Sequence, residues 1–137
     1  MDPAQARARF GDARVARLAT VDESGAPHLV PVTFAAHGDE IVTAVDHKPK
    51  RTTDLRRLRN IRQNPRVSVL VDHYDDDWTR LWWARADGTA YVHESGAVRD
   101  DALLALVRKY PQYERRVPEG PVIVVTVGRW SGWAYTG

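Results

Sequence analysis

Six stretches of strand-like patterning follow one another along this chain, and helical patterning interrupts them too irregularly for a regular strand–helix–strand alternation. The stretches are ARVARLATVD (13–22), HLVPVTFAAHG (28–38), EIVTAVD (40–46), RVSVLVDHY (66–74), LWWARADGTAYVHES (81–95) and PVIVVTVGRWSGWAYTG (121–137). Turn residues, ESGAP and then His37-Gly38-Asp39-Glu40, separate the first three, so these read as consecutive hairpins. Three helical segments fill the remainder. Pro3 to Phe10 is a short helix with Pro3 at a tolerated early position and Gly11 as its stop. Leu55, Leu58 and Ile61 recur at helical spacing in a helix of about three turns, capped at Thr52 or Thr53 and closed before Pro65. Asp100 to Tyr110 carries Leu103, Leu104 and Val107 inward. The expected fold is α+β but mainly β, a six-stranded antiparallel barrel with a few short helices. At 137 residues the chain suits a single domain, 1–137, that buries enough surface to need no covalent staple.

The chain contains no cysteine, which removes disulfides, thiolate nucleophiles and Cys-ligated zinc and fits a reducing compartment. Its N-terminus, MDPAQARARF, lacks the apolar core of a signal peptide, and its longest apolar run, VIVV, is far too short to cross a bilayer. A cytoplasmic protein with no membrane partner is expected. Net charge is only +2, below the balance of a dedicated nucleic-acid binder.

Local clustering of charge is more informative. Between Asp46 and Asp72 lie eight Lys or Arg residues, which raises three options: nucleic acid, the phosphate of a cofactor, or solvent alone. At about 100° per residue, Arg56, Arg57, Arg59 and Arg62 fall on both flanks of the Leu55–Leu58–Ile61 stripe and not on one face. A groove-reading helix gathers its contacts on one surface, so no nucleic-acid partner is expected. Arg56 and Arg57 read as solvated or locally paired. Lys48, Lys50, Arg51, Thr52 and Thr53 sit instead between a strand end and a helix start, where backbone N–H groups favour an anion. Two lysines, an arginine and two hydroxyls add charge-assisted donors there. A solvated basic loop with an ordinary Thr cap is the competing reading.

The order TVDESGAPHLVPVTF, DHKPKRTTDLRRLRNIRQNPRVSVLVD, then LWWARADGTA resembles the split-barrel flavin and deazaflavin oxidoreductases related to pyridoxamine 5'-phosphate oxidase. More narrowly, it is similar to the actinobacterial branch of coenzyme F-420-dependent enzymes. The resemblance runs from about Arg14 to the terminal WSGWA. It implies a six-stranded antiparallel split β-barrel, a homodimer with cofactor sites at the interface, and hydride transfer between a reduced deazaflavin and a small conjugated or carbonyl-bearing acceptor. Coenzyme F-420 is the implied cofactor and FMN the alternative. A non-catalytic cofactor or tetrapyrrole carrier is the reading from another class.

Carried over by position, the family's phosphate loop falls on Lys48, Lys50, Arg51 and Thr52. Its ring-lining strand falls on Pro31, Val32 and Thr33. The fifth strand brings Trp82 or Trp83 near the ring, with Trp83 the choice, and the last strand brings Trp130 or Trp133 toward the neighbouring subunit. Where the oxidase proper has a Ser-Arg-Lys run, this chain has Pro49-Lys50-Arg51, so oxidation of vitamin B6 is not implied. Because a deazaflavin tail adds carboxylates beyond the phosphate, Arg56 or Arg59 is a candidate for it. No catalytic side chain is singled out, since a ring cofactor carries hydride chemistry and asks the protein for orientation and exclusion of water.

Other clusters read as structural. The acidic run Asp72–Asp77 lacks EF-hand spacing and reads as a solvated loop, so no metal is expected. The five histidines are scattered, with His28 and His47 the two that could lie near a cofactor. Asp22-Glu23-Ser24-Gly25 is a hairpin turn.

Overall fold

The computed structural model describes residues 1–45 and 55–136. Its elements run α1 (Pro3–Asp12), β1 (Ala16–Val21), β2 (Pro27–Val32), β3 (Ala35–His37), β4 (Glu40–Ala44), α2 (Arg56–Gln63), β5 (Arg66–His73), β6 (Trp82–His93), α3 (Ala97–Lys109), α4 (Pro111–Arg115) and β7 (Val122–Ala134). All strands join one curled antiparallel sheet in the order β2-β1-β5-β6-β7-β4-β3. The mainly β, split-barrel expectation holds.

Strand number is seven, not six. The expected second strand breaks at Thr33 and Phe34, because the chain there turns its backbone toward other partners. Thr33 C=O accepts from Thr43 Oγ1 at 2.6 Å, and the Phe34 N–H donates to Tyr110 Oη at 3.1 Å. With its ladder bonds diverted, the run restarts as β3 against β4. The second helix is also shorter than expected. It spans eight residues with Leu55 at its N-cap, where the side chain makes no capping bond, and the expected caps Thr52 and Thr53 lie outside the described residues. Asn64, held extended before Pro65, ends it.

Alternation along the strands divides the packing between two faces. Leu18, Ile41, Val67, Val69, Val71, Ile123 and Val125 point to the concave side. There α1 contributes Phe10, edge-on to Phe34 and Trp130, and α2 contributes Leu58 and Ile61. On the convex side α3 covers the β3–β4 edge and the first half of β7, burying Leu103, Leu106 and Tyr110 on Ala35, Ala44, Val122 and Val124. Among the described residues, no other element lies over the rest of the convex face. The two longest strands, β6 and β7, shift register at Asp87/Gly88. A Cβ on Gly88 would collide with the Thr126 carbonyl, so the close approach at this bulge requires glycine. No helix among the described residues is long and apolar enough to cross a membrane.

Candidate functional site

The basic segment leaves the sheet at Val45 and re-enters described structure at Leu55. Lys48, Lys50, Arg51 and Thr52 therefore lie outside the described residues. The Val45 N–H donates to Pro121 C=O at the end of β4, and α2 begins at Arg56 with no acid in its first turn. Arg56, Arg59, Asn60 and Gln63 line a cleft of about 530 Å³ against the β1–β2 turn. That turn is built by Asp22, whose carboxylate accepts from Ser24 N, Ser24 Oγ and Ala26 N; these bonds, the Ser24 hydroxyl first, hold its pKa below the usual carboxylate value. Gly25 completes it at φ +86°.

His28 faces the same corner from β2. Its Nδ1 is buried and finds no hydrogen-bond partner among the described residues. Burial first, and then the positive charges of Arg56 and Arg57, push the imidazole's pKa below its ordinary value. Across the same cleft Arg56 and Arg59 face the carboxylates of Asp22 and Glu23. Beneath it, Asn60 Nδ2 donates to Thr20 Oγ1 at 3.0 Å, a fully buried pair that seats α2 on β1.

The residues matched to the ring-lining strand spread over three environments. Pro31 is exposed on the convex face, Val32 points into the core, and Thr33 opens onto a second cleft. That cleft, about 600 Å³, is lined by Arg14, Thr33, Tyr110, Pro111, Gln112 and Tyr113. Thr33 Oγ1 and Tyr113 Oη lie 2.7 Å apart, and the Tyr110 hydroxyl lies 3.0 Å from Arg14 C=O and 2.9 Å from Phe34 C=O. Nearby, Lys109 holds its ammonium 3.9 Å above the Phe34 ring, and burial, aided by Arg14, pulls its pKa down to about 8.

Trp83 stands on the convex face of β6, opposite Trp133 of β7 and with the Arg85 guanidinium 5.3 Å from its ring. Three strand steps separate β6 from β2, so Trp83 and Pro31 are about 14 Å or more apart in one chain. Trp82 points the other way, under Arg9 and stacked with His73. Trp130 is a core residue whose indole N–H donates to Asp39 at 2.9 Å, whereas Trp133 is 44% exposed. In the acidic loop, Asp75 meets His73 and Arg80.

Sequence reasoning passed over Arg14, Asn60, Tyr110 and Tyr113. The i, i+3 tyrosines astride Pro111 were the available signal for the last two.

A curled antiparallel sheet with a few short helices packed on it, one cleft between α2 and the β1–β2 turn and another beside Thr33 and α4 define a protein of the split-barrel class. A family model described as pyridoxamine 5'-phosphate oxidase matches residues 2–134, and the chain belongs to that family. Solved structures agree on the fold. A conserved hypothetical protein of Mycobacterium tuberculosis superposes with a TM-score of 0.79 at 20% identity, covering 98% of this chain and 86% of that one. A FAD-binding protein of Mesorhizobium loti gives 0.72 at 20% identity over 96% and 94%. The heme storage protein HutZ of Vibrio cholerae gives 0.71 at 14% identity over 96% and 90%.

Proposed function

We propose that this chain is a homodimeric oxidoreductase that binds coenzyme F-420 and passes a hydride between the reduced deazaflavin and a small conjugated or carbonyl-bearing acceptor. The observation that carries this reading is the cleft in which α2 sets Arg56 and Arg59, directly after the basic segment, in a chain of the pyridoxamine 5'-phosphate oxidase family. An anionic ring cofactor fits what surrounds that cleft. His28 Nδ1 is a buried polar atom without a hydrogen-bond partner among the described residues, and no carboxylate occupies the first turn of α2. Lys48, Lys50, Arg51 and Thr52 would hold the phosphate, with Pro31, Val32 and Thr33 along the ring and Trp83 supplied across a subunit boundary. Arg56 and Arg59, one helical turn apart, suit the extra carboxylates of the deazaflavin tail.

The bound ring would supply the hydride chemistry. The chain's own part is to orient the ring, exclude water and neutralise the anion. FMN is the second reading, favoured by the family match itself, and it lacks the carboxylate tail for which the α2 arginines are suited.

Fluorescence titration of the purified protein with coenzyme F-420 and, separately, with FMN tests the assignment. Saturation by F-420 with much weaker binding of FMN is the expected result. Lys50→Ala and Arg51→Ala should each weaken binding by about tenfold or more, the scale of a lost charge-assisted contact. Arg57→Ala should cost far less. Equal losses in all three variants would remove the phosphate loop from the proposal.

A further inference from the structure

From the cleft beside Thr33 we infer a binding site for a planar, unsaturated monocarboxylate, with Arg14 as its anion-binding residue. Four features converge. The volume, about 600 Å³, lies within the range of small-molecule sites. Most of the lining is aromatic or apolar, with Tyr110 and Tyr113 set edge to face at 5.7 Å beside Pro111, so the cleft has flat walls suited to a flat ligand.

The Arg14 guanidinium is fixed in place. It donates from Nη1 to Lys109 C=O at 3.0 Å and lies 5.7 Å from the Tyr110 ring centre. One hydrogen bond uses one of its five N–H groups, and no carboxylate pairs with it among the described residues. A guanidinium so held is pre-organised for a planar carboxylate. Finally, Thr33 Oγ1, anchored on Tyr113 Oη at 2.7 Å, places a polar group within the cleft's lining. The charge count limits the ligand. Arg14 is the single charged residue among the described residues lining the cleft, which matches a ligand with one negative charge.

The role of this cleft as the acceptor pocket rests on the cofactor reading above, because Thr33 belongs to both the cleft and the segment placed along the ring. An α,β-unsaturated acid is then the acceptor: hydride from the reduced deazaflavin would add at its β-carbon, the C=C π bond would break, and a proton from water would complete the α-carbon. Its capacity to bind such an acid does not depend on that reading.

The test uses trans-cinnamate and its neutral amide as probes on the full chain, followed by calorimetry or ligand-observed NMR. Cinnamate should saturate the protein and bind at least tenfold more tightly than cinnamamide. Arg14→Gln, an exposed position whose change leaves the core intact, should abolish that preference, while Arg108→Gln on the outer side of α3 leaves it unchanged. Equal binding of acid and amide by the wild type, or an unaltered preference in Arg14→Gln, would overturn the site. Adding coenzyme F-420 separates the two layers. Cinnamate binding undiminished by saturating F-420 supports the acceptor placement, and displacement of one by the other overturns it. Cinnamate selectivity in a protein that binds neither F-420 nor FMN would uphold the cleft while the cofactor assignment fails.

Discussion

His28 reports the electrostatics of the corner on its own. Burial and the Arg56 and Arg57 charges both oppose its protonation, so its pKa lies below the usual histidine value near 6.5. The unfolded chain then binds the proton more readily than the folded one between those two values. Stability contributed by this residue is therefore intact above about pH 6.5 and is lost as pH falls through the folded pKa. An NMR titration of the imidazole should show Arg56→Gln raising the pKa toward the ordinary value. Binding of a phosphorylated ring cofactor at the neighbouring loop should raise it too, since an anion offsets the arginines. A His28 resonance that titrates identically with and without saturating cofactor would place the phosphate elsewhere.

At the scale of elements, α2 is anchored by a polar pair as well as by its apolar stripe. Asn60 and Thr20 are both buried and satisfy each other, so truncating Asn60 to alanine strands the Thr20 hydroxyl in the core. The expected cost is about 1–3 kcal/mol in urea unfolding, and Thr20→Val combined with Asn60→Leu should recover part of it. A full-sized loss in the double variant would mean that the pair is not the anchor. The helix itself was legible from Leu55, Leu58 and Ile61, because a 3.6-residue apolar period announces a buried face. Asn60 was not, since a lone polar residue inside a basic run carries no sign of burial. The same limit explains the extra strand. HLVPVTFAAHG is continuous in β propensity, and its break at Thr33–Phe34 is imposed by hydroxyls on Thr43 and Tyr110, 10 and 76 residues along the chain. The basic segment was visible in one local window. The two clefts join the β1–β2 turn with α2, and Arg14 and Thr33, which flank β1 and β2, with Tyr110 and α4, neighbours that no local window of sequence displays. Pro111–Arg115 escaped notice for a different reason, since five residues give no period to detect.

The whole molecule is asymmetric in how it covers its sheet. While α3 shields the β3–β4 edge and half of β7, no element among the described residues covers the convex surface of β2, β1, β5, β6 and the remainder of β7. Register sets Pro31, Arg17, Leu70, Arg85 and Ser131 in one row across it, and Leu29, Ala19, Ser68, Asp87 and Arg129 in the next. Leu29 is 66% exposed and Trp133 44%, while Ser131 Oγ is buried without a partner among the described residues. Charge on this face is partly neutralised within it, because Asp87 accepts from both Ser68 Oγ and Arg85 Nε. Apolar anchors around an internally paired polar centre suit a second copy of the same surface, in which two such faces would bury the roughly 800 Å² per partner of a stable association. Light scattering behind size exclusion should give twice the 15.5 kDa chain mass. Leu29→Glu and Trp133→Glu should shift the protein to the single-chain mass, because each would place uncompensated charge in the apolar part of the contact. Leu104→Glu, at a comparably exposed site on α3, should leave the mass unchanged. If Trp83 reaches the ring of a neighbouring subunit, the monomeric variants should also lose cofactor affinity. A wild type that runs at single-chain mass and still binds cofactor tightly would dissociate the site from the interface and return Trp83 to the role of a surface residue.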